Sequence, residues 1–253
     1  MYEAHPTDEQ TEAGAATHPM KITRLSDTLT QITFLGALNC YLLRESDGFT
    51  LIDTTIKNRH KQILAAAQKV GGEVKRILLT HAHGDHMGSL DGLYDALGGR
   101  VDVAISERDA PLLRKDLSLR PGEPQRKPKG SLPGAKTRPT HLLEDGELYG
   151  SLRCYYTKGH TPGHMSFLDE RDGTLIAGDA LISMGELRPP SKPVWWFPLP
   201  RLATWDKPMA LEAVEKLATL PVTEIVTGHG PVVREGSAAV SRVLARTKAH
   251  AVR

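Results

Sequence analysis

From Lys21 the chain settles into short apolar runs punctuated by Gly and Asp. Lys21 to Phe34, Asn39 to Arg44 and Phe49 to Ile52 predict successive strands, with Ser46-Asp47-Gly48 as a turn. The period then lengthens: Asn58 to Val70 places Ile63, Leu64, Ala67 and Val70 at helical spacing and stops at Gly71-Gly72. Val74 to Thr80 is an apolar, β-branched strand, followed by a helix from about Met87 to Leu97 and a strand at Val101 to Ile105. Further strands are predicted at Leu152 to Thr157, Ser166 to Leu168, Thr174 to Ala177 and Glu224 to Thr227. A late helix opens at Asp206 as N-cap, carries Pro208 in its first turn and buries Leu211, Val214, Leu217 and Leu220; another runs from about Ser237. The alternation predicts an α/β fold with helices packed on sheets.

Three stretches break the pattern. Residues 1–19, rich in Thr, Glu, Ala and Gly, are expected to be a disordered leader, with residues 20–253 forming one domain. Leu112 to Thr140 is crowded with Pro, Gly, Lys and Arg, and Met184 to Thr204 is Pro-rich around Trp195, Trp196 and Phe197. Aperiodic segments this long are functional loops or disorder.

Composition narrows the classes. The chain has 32 Lys and Arg against 30 Asp and Glu, a formal net charge of +2, so no global field demands a nucleic acid or a membrane. No apolar run approaches the ~20 residues of a membrane span, and no basic-then-apolar signal opens the chain; a cytoplasmic location is the expectation. Cys40 and Cys154 are far apart and belong to no closely spaced pair, which predicts buried free thiols rather than a disulfide or a thiolate zinc site.

The densest chemistry is Thr80-His81-Ala82-His83-Gly84-Asp85-His86, directly after a predicted strand. A lone histidine is more often a surface or capping residue than a ligand. Three imidazoles and a carboxylate crowded together would be costly through desolvation and repulsion without a cation. An extended path through Ala82 turns His81 and His83 to one site, and a turn at Gly84 brings Asp85 and His86 toward a neighbouring one. Three more candidates sit just beyond strands: His160 in Gly159-His160-Thr161-Pro162-Gly163-His164, Asp179 in Gly178-Asp179, and His229 in Gly228-His229-Gly230.

These runs resemble the metallo-β-lactamase superfamily of hydrolases, over roughly Lys21 to Val233. The resemblance implies a four-layer αββα sandwich. It also implies His81, His83 and His160 on one metal, Asp85, His86 and His229 on the other, and Asp179 bridging. Asp53, in Ile52-Asp53-Thr54, then supports the site without binding metal, and His164 holds its loop by a hydrogen bond. Two divalent ions are expected, zinc first, with iron, manganese or cobalt also suiting the donors.

A metal-bridging hydroxide at such a pair cleaves a small carboxylic ester, lactone or thioester, with Asp85 relaying a proton to the leaving group and Asp179 holding the ions. Alternatives are phosphoester or organophosphate hydrolysis, a β-lactamase side activity, and the one-iron persulfide dioxygenase reaction that the same scaffold supports. A bridging aspartate argues against β-lactam cleavage as the main activity and points to the glyoxalase II and quorum-quenching lactonase branch. Ile182 stands where those lactonases carry a substrate-binding tyrosine.

Trp195, Trp196 and Phe197 are expected to form an apolar wall of the substrate pocket, or else to pack under their loop or at a homodimer contact. Arg114, Lys115, Arg120, Arg126, Lys127, Lys129, Lys136 and Arg138 make the other loop basic, but without interleaved aromatics it reads as solvated or anion-attracting rather than as a nucleic-acid surface. The expected partner is a small-molecule substrate. His60, His141 and His250 have no partner pattern and read as surface residues.

Overall fold

The computed structural model describes residues 20–251; the leader predicted over residues 1–19 and the side chain of His250 lie outside the described residues. The amino-terminal meander is β1 (Lys21–Arg24), β2 (Leu29–Phe34), β3 (Leu38–Glu45) and β4 (Gly48–Ile52). The first predicted strand is thus two. Ser26 Oγ accepts from the backbone N–H groups of Thr28 and Leu29, a side-chain-closed turn that the polar Ser26-Asp27-Thr28 triplet builds inside the apolar run.

Next come α1 (His60–Val70), β5 (Val74–Leu78), α2 (Gly84–Met87), α3 (Leu90–Ala96), β6 (Asp102–Ser106) and β7 (His141–Leu143). The helix predicted from Met87 is broken at Gly88 and Ser89, because Gly88 N–H donates to Thr55 O and Ser89 Oγ donates to Ile56 O. β1 to β7 form one sheet in sequence order, antiparallel up to β4 and parallel from β4 to β7.

A second sheet takes β8 (Leu148–Tyr149), β9 (Leu152–Tyr156), β10 (Met165–Asp169), β11 (Thr174–Ile176) and β12 (Glu224–Val226) in the order β12-β11-β10-β9-β8. Helices α4 (Leu199–Ala203), α5 (Lys207–Leu217) and α6 (Gly236–Ala251) complete the chain. The Asp206 side chain caps α5, accepting from Met209 N–H at 3.0 Å. The short β7, β8 and α4 carry too little apolar periodicity to be seen in sequence.

Three apolar clusters define the layers. Leu29, Tyr41, Leu43, Ile52 and Leu78 of the first sheet meet Leu152, Cys154, Met165, Phe167 and Ile176 of the second. The outer face of the first sheet buries Leu42, Leu51 and Ile77 against Ile63 of α1 and Leu90 and Leu93 of α3. The outer face of the second buries Leu168, Leu175 and Ile225 against Val214 and Leu217 of α5 and Val240 and Val243 of α6. Helix, sheet, sheet, helix is the order, an αββα sandwich in which each strand's alternate faces feed different cores. Cys40 and Cys154 are free and buried, and burial pushes the Cys154 thiol up to about 12. Among the described residues no helix is long and apolar enough to cross a membrane.

Candidate metal centre

The candidate residues follow the carboxyl ends of strands. Asp53 follows β4, His81 to His86 follow β5, His160 follows β9, Asp179 follows β11 and His229 follows β12. β4 and β5 are parallel. In the second sheet β9 and β11 are both antiparallel to β10, and β12 is parallel to β11, so those three also point one way. Strand direction therefore delivers the loops of each sheet to one edge.

All seven predicted ligands are brought together there. His81, His83 and His160 form one group of donors able to hold a cation, Asp85, His86 and His229 a second, and His81, His86 and Asp179 a third overlapping both. His83 Nδ1 lies 3.0 Å from His81 Nε2 and 3.0 Å from His160 Nε2. Asp179 Oδ2 lies 3.3 Å from His160 Nε2 and 3.2 Å from His229 Nε2, and its Oδ1 is 3.4 Å from His86 Nε2. One carboxylate thus touches both groups. A side chain at Gly228 would overlap Asp179 and His86, so glycine is what lets the last loop close over them.

The outward nitrogens fix the rings. His83 Nε2 donates to Lys129 O at 2.8 Å, His81 Nδ1 to Thr80 Oγ1 at 3.0 Å, and His160 Nδ1 to Thr204 Oγ1 at 3.2 Å. Each bond leaves the inward nitrogen with its lone pair facing the group, the tautomer that a ligand needs. His86 Nδ1 donates to Asp53 Oδ2 at 2.8 Å, and Asp53 also accepts from Thr80 Oγ1 and Thr80 N–H. His164 Nε2 accepts from Asp179 N–H at 2.9 Å, while its Nδ1 donates to Thr157 Oγ1.

Electrostatics divides the cluster. Burial pulls His81, His83 and His160 below the ordinary imidazole range, helped at His81 by its histidine neighbours. Burial also opposes charge on His86, but the carboxylates of Asp179, Asp53 and Asp85 outweigh it and hold the imidazole up at about 9. At His229 burial is again outweighed, by Asp179 and Asp85, and its value is raised to about 10. Burial would raise Asp85 and Asp179; their histidine neighbours override it and hold both below the usual carboxylate range. The buried His86 Nε2 and Asp179 Oδ1 have no hydrogen-bond partner, although they face each other across the third group. Two orphaned donor atoms converging in a buried site fit a cation between them.

A cavity of about 890 Å³ opens over the centre, with Asp85, His160, Asp179 and His229 on its floor. Phe197, Leu199 and Leu202 form an apolar part of its wall, and the Phe197 ring centroid is 5.0 Å from that of His229. Trp195 and Trp196 do not line it. They are exposed and pack edge to face on each other, because the Pro-rich path turns only Phe197 inward. Ile182 is likewise off the cavity: it is buried, and its backbone pairs with Arg188 in both directions. His60, expected on the surface, is half-buried and lines the cavity. His141 is also half-buried, paired with Glu147 at 2.5 Å.

Sequence reasoning missed Asp109. Its carboxylate accepts from Ala82 N–H at 3.3 Å, Thr161 Oγ1 at 2.6 Å and Gly163 N–H at 2.6 Å, tying the His81–His83 loop to the His160 loop. Burial raises it to about 6, against those three hydrogen bonds. The signal that exposed the ligands, an acid just past a strand, also marks Asp109 after β6. Asn39 and Tyr41 were missed too: Asn39 Nδ2 donates to Thr227 O and Gly230 O, and Tyr41 Oη to Thr227 O, holding the His229 loop from the facing sheet.

Comparison with known proteins agrees with this architecture. The chain is 44% identical over 233 residues to the uncharacterized protein YobT of Bacillus subtilis, covering 90% of this chain and 99% of that one. It is 31% identical over 170 residues to a hydroxyacylglutathione hydrolase of Cereibacter sphaeroides, covering 66% of this chain and 52% of that enzyme. The crystal structure of TTHA1623 in a di-iron-bound form superposes with a TM-score of 0.62 at 25% identity, covering 81% of this chain and 93% of that one. Residues 34–229 match the model of the metallo-beta-lactamase superfamily, and the chain belongs to that superfamily as one of its metal-binding hydrolases.

Proposed function

We propose that the protein is a dinuclear hydrolase that cleaves a small carboxylic ester, lactone or thioester. The observation that carries this reading is the position of Asp179, whose two oxygens reach His160 on one side and His86 and His229 on the other. His81, His83 and His160 would hold one divalent ion, Asp85, His86 and His229 the second, with Asp179 shared. Zinc suits the nitrogen and oxygen donors, as do iron, manganese and cobalt. Such ions supply a water activated near neutral pH and a Lewis acid for the carbonyl oxygen.

The protein's own groups do the rest. Asp85 lies on the cavity floor, 3.4 Å from His229 through Oδ2, where it can pass a proton to a leaving oxygen or sulfur. Phe197, Leu199 and Leu202 provide an apolar surface for an acyl chain and keep water from the reacting carbon. The likeness to a hydroxyacylglutathione hydrolase supports acyl over phosphoryl transfer. In the basic loop, Arg120 is paired with Glu107, and Arg126 with Asp206, which supports a small-molecule partner rather than a nucleic acid.

Metal analysis joined to a substrate panel tests the reading. Protein loaded with zinc, manganese or cobalt should carry two ions per chain and turn over aryl esters, lactones or thioesters faster than phosphoesters or a β-lactam. One iron per chain with oxygen uptake on a persulfide would replace the reading with a dioxygenase. Cleavage of the β-lactam alone would overturn the weight placed on Asp179.

A further inference from the structure

One part of the cavity wall plays no role in the metal centre or the apolar surface. It is formed by Lys57 and Asn58, on the segment that joins β4 to α1, and by His60, the first residue of α1. Lys57 is the one lysine or arginine among the described residues lining the cavity. Among the described residues, none of these three side chains has an ion-pair or hydrogen-bond partner. The acids that share the wall are already engaged: Asp91 accepts from the backbone N–H groups of Lys136 and Thr137 and from Thr137 Oγ1, while Asp85 and Asp179 face the histidines. A cation, an amide and an imidazole thus border a cavity whose carboxylates cannot satisfy them.

Their carrier is held rigidly against the metal-binding loop. Thr54 N–H and Thr54 Oγ1 both donate to His86 O, and Gly88 N–H donates to Thr55 O at 2.8 Å. Ser89 Oγ donates to Ile56 O and accepts from Arg59 N–H. A Cβ at Gly88 would overlap Lys57 N, so the two segments touch backbone to backbone. Asp53, Thr55 and Asn58 all have positive φ, a conformation that is costly for non-glycine residues and persists only where surroundings enforce it. Lys57, Asn58 and His60 are therefore presented at a set place relative to His86.

We propose that this wall is a subsite for an anionic group, a carboxylate carried by the substrate at the end away from the scissile bond. The inference rests on the acyl-hydrolase reading and deepens it: the preferred substrate is an ester, lactone or thioester of an acid bearing a second carboxylate. Lys57 supplies the charge, while Asn58 and His60 supply hydrogen bonds to the carboxylate oxygens. The apolar stem between the two polar ends packs on the Phe197, Leu199 and Leu202 surface. Because Lys57 is the one lysine or arginine here and it is exposed, the selectivity expected is about tenfold, that of one screened charge-assisted contact.

Calorimetric binding decides the matter without any turnover. The metal-loaded protein is titrated with unbranched α,ω-dicarboxylates from succinate to suberate and with the monocarboxylate of each length. At least one dicarboxylate should bind about tenfold tighter than its monocarboxylate partner. Lys57→Ala should erase that preference while leaving monocarboxylate binding and metal content unchanged, and Lys57→Arg should retain it. The proposal is overturned if no dicarboxylate is preferred, or if the preference survives Lys57→Ala. Failure of every ester, lactone and thioester in the substrate panel would instead count against the hydrolase reading, so the two failures are told apart.

Discussion

The two halves of the metal centre are built from similar residues and lie side by side, yet they store charge in opposite ways. His81, His83 and His160 are buried mainly among one another, and burial keeps all three imidazoles neutral near pH 7. His86 and His229 are just as buried but look onto Asp53, Asp85 and Asp179, and they hold protons up to about 9 and about 10. The first group is poised to take a cation as it stands. The second is a set of internal ion pairs, in which carboxylates favour the protonated imidazole. Ligand type is thus a poor guide to behaviour; the count of carboxylates facing each imidazole decides whether a metal meets a lone pair or must displace a proton.

Asp179→Ala should break the comparison most severely, because it removes the group common to both halves. Turnover is expected to fall by more than the ~100-fold that loss of a supporting partner costs a metal site. Metal analysis of the variant should find fewer than two ions per chain. An unchanged stoichiometry would show that the halves do not share this residue.

The pH dependence of metal uptake is the sharpest measure of the contrast. Filling the second half at pH 7 should release about two protons, one each from His86 and His229, and filling the first about none. Calorimetry in buffers of different ionisation heat counts them. Lowering the pH from 7 to 6 should then weaken the second step by ~100-fold, a factor of ten per proton, and leave the first nearly unmoved. Equal proton counts for the two steps would remove the distinction.

Two supporting carboxylates allow each half to be disturbed separately. Asp53 bonds His86 directly and reaches His81 only through Thr80. Asp53→Asn should therefore weaken the second ion by ~10–100-fold and the first by less, read by competition with a chromophoric chelator. Asp109 bonds only the loops of the first half, so Asp109→Asn should reverse that order, with a loss of ~10-fold at the first ion.

A last effect concerns the metal-free protein. Because the folded values of His86 and His229 are raised, their contribution to stability is fully present below the unfolded imidazole value of ~6.5 and is lost as the pH rises through about 9 and about 10. The melting temperature of the metal-free protein should accordingly decline from pH 7 to 10, and that of the metal-loaded protein should decline less.

The ligand loops were legible because their chemistry is local: His81 to His86 crowd one turn, and each remaining ligand sits beside glycine just past a strand. The alternation of strands and helices was legible for a related reason, since period and apolar content mark the long elements, whereas the αββα layering followed from the family resemblance. What the sequence hid depends on where a loop travels. Trp195, Trp196 and Phe197 look alike in sequence, but only Phe197 faces the cavity. Ile182 occupies a suggestive spacing from Asp179, yet the backbone bridge to Arg188 holds it in the interior. His60 has no motif, and its place on the cavity wall exists only once α1 has packed beside α3. Asn39 and Tyr41 sit in an ordinary strand pattern, and nothing local announces that they grip a loop nearly two hundred residues away.

That grip gives the centre an order in time. Asn39 reaches Gly230 across a separation of 191 residues, whereas the three-histidine group is complete in sequence once His160 has been made. On the ribosome, where a chain emerges from its amino end, the three histidines of the neutral half are all present while the shared Asp179 and the His229 of the protonated half are still to come. The Asn39 and Tyr41 side chains thus stand in early strands as the latch that the last strand finds when it arrives.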